Sequence, residues 1–349
     1  MTIAVQQNLV RGARSTLRRT ILICLALLVA LFLFIVVASV IGAERLPFAS
    51  SLCALFTGGF STCGLSPEQS AILFDIRLPR ILLAASVGAS LATAGAGYQA
   101  LLRNPLAEPY LLGISNGAAV GTMVALVFFG TGQGSEWLRP VMAFVGALSS
   151  TFVVYRLARG RTGATPEKLI LAGVIVTTFL SSAIVFITTM MDATRIRSFT
   201  FWLLGDLSGA SSSLLIIAII AAVIGTVVLT LHARSLNLLM LGERDAFDLG
   251  VEVERVRLIV FLAASLLVGA SVASSGSVGY VGLVVPHLVR LAIGSDNRTA
   301  IPAAALAGAV FVIVADTVAR TVIAPRELPV GAITALIGAP LFIYLLRRG

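Results

Sequence analysis

The chain has 349 residues, of which 58% are hydrophobic and 12% are charged, and its formal net charge is +9. A soluble globular domain carries about 25% charged residues, so this composition excludes an ordinary soluble protein. Lys168 is the only lysine and lies between Glu167 and Leu169, so the chain lacks the Gly-Lys-Ser/Thr segment of a phosphate-binding loop. If transport through this protein uses ATP, another chain must hydrolyse it.

Long apolar segments recur along the whole chain, and a helix needs about 20 mostly apolar residues to cross a bilayer. Residues 1–19 carry four arginines, and an apolar run from Thr20 to Ile41 follows them. No small-residue cleavage pattern closely follows this run, which predicts a first transmembrane helix rather than a removed signal peptide. Ten spans are predicted, near residues 20–41, 81–102, 110–130, 139–157, 168–190, 212–232, 256–275, 279–294, 300–319 and 329–346.

The basic residues predict the orientation of the chain. With the N-terminus in the cytoplasm, the cytoplasmic segments collect 17 arginines and lysines, and the outer segments collect 8. Because short cytoplasmic loops are enriched in Arg and Lys, both termini are predicted to be cytoplasmic. No polar segment is large enough for a soluble domain, so residues 1–349 are predicted to form a single transmembrane domain.

The longest outer segment, residues 42–80, carries a helix-start signal. Ser66 stands as the N-cap, Pro67 follows at the first helical position, and Gln69 lies three residues after the cap. This order is typical of a capping box. It predicts a short surface helix that ends near Asp75.

Small residues recur at four-residue intervals in two of the spans. Gly113, Gly117 and Gly121 do so in the third span, and Gly88 and Ala92 do so in the second. Small residues at this spacing let the backbones of two helices approach closely. The pattern predicts a tightly packed bundle and carries no information about substrate.

The eighth span is short, contains Pro286 and His287, and is separated from the seventh by only the Gly/Ser-rich junction 274–279. A lone histidine in a membrane span can ligate haem iron, but a structural histidine bonded to a backbone carbonyl is the favoured interpretation. Asp206 and Asp316 are the carboxylates nearest to membrane depth. For both, helix caps or ion pairs are favoured over a proton relay.

Three cysteines are present. Cys24 lies in the first span and is expected to be inert, whereas Cys53 and Cys63 share the outer segment, where oxidation can occur. The sequence leaves open whether these two thiols pair. No Cys and His residues have the spacing of a zinc site, so no metal site is predicted.

Eight different short segments with distinctive residues are spread from about residue 70 to the end of the chain. They are Arg77–Arg80, Gln99–Pro109, Leu112–Ala118, Phe201–Gly205, Leu241–Gly250, Ser275–Arg290, Ala315–Arg320 and Glu327–Pro340. In this order and spacing they resemble the FecCD-type permeases, which are the membrane subunits of ABC importers for iron-siderophores, haem and vitamin B12. Tyr280 stands where the family pattern has Phe, which is a conservative departure.

The resemblance implies an all-α membrane protein with ten transmembrane helices per subunit, in a bundle like that of the vitamin B12 importer, a type II ABC importer. It implies a homodimer in the inner membrane, two cytoplasmic ABC ATPase subunits that bind ATP and Mg²⁺, and a periplasmic substrate-binding protein. No catalytic residue and no cofactor are expected in this chain. Because siderophore, haem and cobalamin permeases share these motifs, the substrate stays open.

Three arginines are predicted on the outer face, against the orientation bias: Arg77, Arg80 and Arg320. The resemblance implies that they dock the substrate-binding protein, since a guanidinium can make two parallel hydrogen bonds to a carboxylate. Snorkelling at the membrane interface is an alternative. For Arg320, a further alternative is a helical i,i+4 pair with Asp316.

A long charged loop is predicted on the cytoplasmic side between Asn237 and Arg257. Gly242 and Gly250 bracket a predicted short helix, 243–249, and Gly250 suits a left-handed C-cap. The loop is either a solvated charged segment or, as the resemblance implies, the coupling segment that docks into the ATPase, with Ala246 and Leu249 filling a groove on it. The coupling residues are Leu241, Gly242, Glu243, Arg244, Asp245, Ala246, Phe247, Asp248, Leu249 and Gly250.

Asn104, Pro105 and Leu106 lie at the predicted inner end of the second span. Pro105 prevents regular helix there and frees backbone groups, which membrane proteins tolerate near a cavity or an interface. The resemblance implies a contribution to a cytoplasmic gate. A plain loop that ends the helix is the alternative.

Two other classes of function remain as rivals. A secondary transporter driven by an ion gradient needs buried ionisable residues and broken helices at the midplane, and the sequence shows few of them. A membrane-embedded enzyme needs a metal-binding histidine pair or a nucleophile with a base, and neither pattern is found. The sequence therefore favours a permease that works by alternating access.

Overall fold

The structure is a computed structural model that describes residues 2–42, 44, 46–58, 63–130, 135–160, 163–209 and 211–348. Arg45 and Arg161, which enter the charge count, lie outside the described residues. The α-helices are α1 (Thr2–Val40), α2 (Phe48–Phe56), α3 (Pro67–Ala71), α4 (Leu78–Leu101), α5 (Ile114–Phe129), α6 (Ser135–Ala158), α7 (Pro166–Thr188), α8 (Ala193–Leu203), α9 (Ser212–Leu231), α10 (Ala233–Leu241), α11 (Glu243–Asp248), α12 (Val253–Ser275), α13 (Val281–Ile293), α14 (Asn297–Thr321) and α15 (Val330–Arg348).

Among the described residues, seven helical segments are long and apolar enough to cross a membrane. They are Leu17–Val40, Pro67–Leu101, Trp137–Ala158, Pro166–Thr188, Ser212–Leu231, Val253–Ser275 and Asn297–Thr321. Shorter apolar helical segments within α5, α13 and α15 stand where the third, eighth and tenth spans are predicted: Ile114–Phe129, Val281–Ile293 and Val330–Leu345. The protein is therefore a multi-pass helical membrane protein. Ten crossings stay a prediction, because the 13 residues of α13 measure only about 20 Å.

The chain between the spans is more helical than its sequence suggests. The loops predicted around α2, α8 and α10 contain these short helices, which are too short to show a clear apolar period. The capping box is confirmed, because the Ser66 hydroxyl accepts a hydrogen bond from the Gln69 amide N–H and the Gln69 side chain accepts one from the Ser66 amide N–H. The predicted end near Asp75 is wrong, since α3 continues through a π-helical segment, Ile72–Arg77, into α4.

Helix α4 forms the centre of the bundle and packs against α14, α12, α9 and α13. Small residues make this possible: a Cβ atom at Gly88 would lie 2.1 Å from the Gly308 carbonyl oxygen, and one at Gly95 would lie 1.9 Å from that of Gly282. The close approach predicted from small residues is thus confirmed for α4. In the spanning segment Pro67–Leu101, which contains α4, 83% of the residues in the apolar stretch are buried, against 6% in the spanning segment Leu17–Val40 of α1.

The small-residue face predicted for the third span is confirmed in part. Gly117 of α5 packs against the backbone of Gly146 on α6, and Gly121 packs against that of Met142. Gly113 does not belong to this face. It has a φ of +77°, precedes α5, and packs against α7 at Thr177.

Two segments of non-helical backbone meet inside the bundle. One follows α4 and leads to the 3₁₀ turn Pro109–Leu112, and the other runs from Gly276 to Tyr280 between α12 and α13. The hydroxyl of Tyr110 ties them together, because it donates to the Val278 carbonyl (3.0 Å) and accepts from the Val278 amide (3.1 Å). Backbone outside a helix is tolerated in membrane proteins where such internal partners satisfy it.

Candidate functional site

Three buried arginines lie together where α4 begins and α14 ends. Arg80 donates from Nε to Asp316 Oδ1 (3.0 Å) and from Nη1 to Glu327 Oε2 (2.7 Å), and its Nη2 lies 2.9 Å from the same Asp316 oxygen. Arg320 Nε lies 3.0 Å from Asp316 Oδ2. The Asp316 side chain is 1% exposed, so this carboxylate joins two buried guanidiniums, one from each helix.

Arg77 has a different set of partners. Its guanidinium donates to the backbone carbonyls of Ser39 and Val40, both at 3.0 Å, and to that of Glu44. The last carbonyls of a helix have no partner within it, so Arg77 satisfies the end of α1. The π-helical turn that precedes α4 ends at Arg77 and places the residue beside that end.

All three arginines predicted to dock a binding protein therefore have partners within the chain, and their exposed fractions are 5%, 7% and 6%. The alternative interpretation of Arg320, an i,i+4 pair with Asp316, is confirmed. The docking role stays a prediction. A carboxylate on a binding protein would compete for these arginines with Asp316 and with Glu327, whose side chain is 48% exposed.

The opposite end of the bundle carries the predicted coupling segment. Helix α11 ends as predicted, because Gly250 has a φ of +85°. Its N–H donates to the Phe247 carbonyl, and the Val251 N–H donates to the Ala246 carbonyl, both at 2.9 Å. These two bonds form a Schellman motif, which stops the helix sharply.

The faces of α11 differ from the prediction in one respect. Ala246 is fully buried at 0% exposure and belongs to the core of the chain, so the prediction that it fills a groove on a partner is wrong. The apolar side chains that are exposed are Leu241 (68%), Phe247 (70%) and Leu249 (62%). A helix of six residues turns one face to the core, and the tertiary contacts place Ala246 on that face. The three exposed residues are named the coupling patch below.

An ion-pair network surrounds the first residue of α11. Glu243 Oε1 lies 2.6 Å from Arg257 Nη2 and 3.5 Å from Arg103 Nη2, and Arg257 Nη1 donates to Glu254 Oε1 at 2.7 Å. Arg257 is 2% exposed. The sequence indicates only the local i,i+3 pair of Arg257 with Glu254, since Glu243 is 14 residues away along the chain and meets Arg257 through tertiary packing.

The predicted gate residues form a loop just after α4. The Asn104 side chain accepts a hydrogen bond from the Leu106 amide at 2.9 Å, and Arg103 before it has a φ of +50°. Pro105 and Leu106 are exposed. The loop ends the helix, as the alternative interpretation holds, while its part in a gate stays a prediction. Residues 103–106 are named the gate loop below.

Glu108 is a partly buried carboxyl whose role no local sequence pattern indicates. Its Oε1 accepts a hydrogen bond from the Tyr280 amide at 3.2 Å, and Tyr280 has a φ of +67° at the start of α13. Burial raises the pKa of Glu108 above its ordinary range, and the hydrogen bond from the Tyr280 backbone opposes this shift. The carboxyl therefore helps to join the two non-helical segments.

Two predictions about single polar residues have different outcomes. The ion-pair interpretation of Asp316 is confirmed, and Asp206 Oδ1 accepts a hydrogen bond from the Ser208 amide, which is a turn cap. The prediction that His287 bonds to a backbone carbonyl is wrong: His287 is half-buried and makes no such bond in the described structure. The other histidine, His232, makes a bond of this kind, from Nδ1 to the Val228 carbonyl at 2.9 Å.

The predicted outer segment contains a disulfide between Cys53 and Cys63, whose Cα atoms are 5.9 Å apart. It lies beside a small hydrophobic cluster of Leu46, Ala54, Leu65 and Leu73, separate from the main core. Within the described residues no group of three or more His, Cys, Asp or Glu side chains comes together as a metal site would require.

Comparison with known proteins gives a consistent result. The chain matches the FecCD transport family over residues 26–348. It is 43% identical over 280 residues to the hemin transport system permease protein of Yersinia pestis, covering 79% of this chain and 83% of that one. It is also 43% identical over 290 residues to the cobalamin import system permease protein of Halobacterium salinarum, covering 81% of this chain and 75% of that one.

A solved structure has the same fold over nearly the full length. It is an inward-facing conformation of a protein assigned as a metal-chelate type ABC transporter, with a TM-score of 0.82 and 30% sequence identity. The alignment covers 94% of this chain and 99% of the other.

Proposed function

Because the chain belongs to the FecCD transport family, we propose that it is the membrane-spanning permease of an ABC importer that carries haem, a corrinoid or an iron chelate into the cell. The permease crosses the inner membrane ten times, has both termini in the cytoplasm, and works as a homodimer. Substrate moves by alternating access, which ATP binding and hydrolysis in two separate ABC ATPase subunits drive. The names of the relatives, which include a hemin and a cobalamin permease, support this substrate class without choosing within it.

The coupling patch is the observation that carries the proposal. Leu241, Phe247 and Leu249 expose large apolar side chains around a short charged helix, and Ala246 anchors that helix in the core. Such side chains on a polar end of the bundle favour a protein partner over water. A rigid, well-anchored helix that offers an aromatic ring is suited to a pocket on an ATPase, because buried aromatic residues dominate interface energies.

The opposite end is proposed to receive a periplasmic substrate-binding protein. Arg77, Arg80 and Arg320 concentrate positive charge there, and the carboxylates of Asp316 and Glu327 partly neutralise it. In this proposal an acidic side chain of the binding protein takes the place of Glu327 on Arg80. Charge pairs of this kind determine which partner is accepted and how fast it binds.

The test is uptake by the reconstituted complex. The chain is purified with its ATPase, placed in liposomes with the binding protein, and supplied with hemin, cyanocobalamin or ferrichrome. We expect uptake of one of the three that requires ATP and stops when the ATPase is inactivated by mutation. Uptake that persists without ATP and follows a proton gradient would instead support the secondary-transporter rival. Absence of a stable complex with the ATPase would also refute the proposal.

A further inference from the structure

An ion pair joins Arg103 of the gate loop to Glu243, the first residue of α11. We infer that Glu243 links α11 to the gate loop, so that a movement of α11 on the ATPase is passed to the gate loop through Arg103. The carboxylate oxygen Oε1 of Glu243 is shared by Arg103 and by Arg257 of α12. This inference rests on the proposed function, since it takes α11 as the ATPase contact and residues 104–106 as part of the gate.

The ion pair between Arg257 and Glu243 is the stable part of this linkage. Arg257 Nη2 lies 2.6 Å from Glu243 Oε1, and its Nη1 donates to Glu254 at 2.7 Å. The Arg257 side chain is 3% exposed. A buried cation that loses one of its carboxylates is strongly destabilised, so Glu243 stays with Arg257 and α11 moves together with the start of α12.

The ion pair between Arg103 and Glu243, by contrast, is suited to break and re-form. Arg103 Nη2 lies 3.5 Å from Glu243 Oε1, and both side chains are 36% exposed. Ion pairs of this length and exposure contribute little free energy and exchange readily with water. The same oxygen therefore has one strong, buried partner on α12 and one weak, accessible partner in the gate loop.

The backbone at Arg103 marks the boundary between the rigid helix α4 and the gate loop. Arg103 has a φ of +50° and is the left-handed residue of a Schellman motif that ends α4. Its N–H donates to the Ala100 carbonyl at 3.4 Å, and the Asn104 N–H donates to the Gln99 carbonyl at 3.1 Å. Arg103 lies two residues after the end of α4, the central helix that also carries Arg80 near its other end, about 35 Å away by helix geometry. Because α4 ends at this motif, the Arg103 side chain reaches Glu243 from the first residue of the gate loop, beyond the packed core of α4.

The experiment uses the permease–ATPase complex in nanodiscs, with a thiol introduced in the gate loop by Leu106→Cys, at a residue 42% exposed. The rate of maleimide labelling at this position is measured without nucleotide and with ATP plus vanadate. We expect a nucleotide-dependent change in this rate, and we expect Arg103→Gln to reduce that change at least about two-fold. In liposomes, Arg103→Gln should lower the amount of hemin, cyanocobalamin or ferrichrome transported per ATP by about two- to five-fold, the range for a half-exposed ion pair.

Arg255→Gln is the matched control. Arg255 also pairs with a glutamate, Glu252, at 3.4 Å, but both side chains are about 70% exposed and the pair lies within one helix turn, without a gate-loop partner. A double-mutant cycle tests the linkage: in a Glu243→Gln background, Arg103→Gln should have no further effect. The inference is overturned if Arg103→Gln acts no more strongly than Arg255→Gln, or if its effect is undiminished in that background. In either case normal ATP-dependent uptake by the wild-type complex leaves the proposed function standing, whereas its absence in the wild type refutes the proposed function itself.

Discussion

Arg80 and Asp316 are 236 residues apart in the sequence, yet two nitrogens of the arginine lie within 3.0 Å of one oxygen of the aspartate. The pair joins the start of α4 to the end of α14, the two helices with the most extensive mutual contact in the described structure. Because Asp316 also neutralises Arg320, one carboxylate holds two buried cations in place.

Asp316→Asn should strongly destabilise the protein. The substitution leaves Arg80 and Arg320 buried without their shared counter-charge, and breaking a buried pair in this way costs about 3–5 kcal/mol. The measurement is thermal unfolding of the detergent-solubilised chain. Asp206→Asn is the control, since that carboxylate only caps a turn. Equal melting temperatures for the two variants would contradict this role of Asp316, whose ion pairs with Arg80 and Arg320 are named the clamp below.

Arg80→Glu should lower the affinity of the substrate-binding protein about thirty-fold or more, as loss of a buried charge pair with added repulsion does. The same change also breaks the clamp with Asp316, so stability must be measured alongside binding. Glu327→Gln separates the two roles. If Arg80 docks the binding protein, removing the competing Glu327 carboxylate raises the affinity at low salt. An unchanged affinity for Glu327→Gln would assign Arg80 to the clamp alone.

Phe247→Ala should weaken binding of the ATPase at least tenfold, because exposed aromatic rings seated in partner pockets contribute about 2 kcal/mol or more. The fold should be unaffected, since the ring is 70% exposed. Affinity is measured by titrating the ATPase onto the permease in nanodiscs. Phe56→Ala removes a ring of similar exposure, 72%, from the outer segment and should leave ATPase affinity unchanged. A similar loss in both variants would rule out a specific role for the coupling patch.

Glu108→Gln should change how stability depends on pH. Burial raises the pKa of Glu108 above its ordinary value of 4.5, so the folded state holds this proton more tightly than the unfolded state. The stability of the wild type therefore falls as the pH rises from about 4.5 through the raised pKa.

The glutamine variant should lack this fall and should be at least as stable as the wild type at pH 7.5, because its side-chain oxygen still accepts from the Tyr280 amide. Thermal unfolding in detergent between pH 4.5 and 8 measures this. Glu252→Gln, which removes a surface carboxylate with 70% exposure, is the control. Parallel pH profiles for wild type and Glu108→Gln would contradict the prediction.

Replacing Cys53 and Cys63 with serine should have little effect on the unfolding of the bundle. The disulfide closes a short segment beside a small cluster that is separate from the main core. Mass spectrometry after alkylation without reduction should find neither cysteine alkylated in the wild type. Free thiols at both positions, in protein kept under oxidising conditions, would contradict the pairing. Full loss of folding in the double variant would contradict its minor role.

Structural elements that depend only on residues close together in the chain could be predicted from the sequence. The apolar runs, the capping box at Ser66 and the stop at Gly250 depend on residues within one or two turns, and the structure contains each of them. The order of distinctive segments was enough to identify the family. The short helices α2, α8 and α10 were missed, because nine to eleven residues hold too few turns for a clear period.

Which partner each charge finds, and which face each short helix buries, was decided by the tertiary structure alone. In sequence, Arg80 is an arginine at the outer end of a span, and either docking or snorkelling accounts for it. In the fold it lies against Asp316, because small residues such as Gly88 and Gly308 bring α4 and α14 together. Likewise, the burial of Ala246 and the sharing of Glu243 between Arg103 and Arg257 depend on how α11, the gate loop and α12 pack at one end of the bundle. Local sequence patterns do not encode such contacts, since the same residues would pair differently if the helices met in another register.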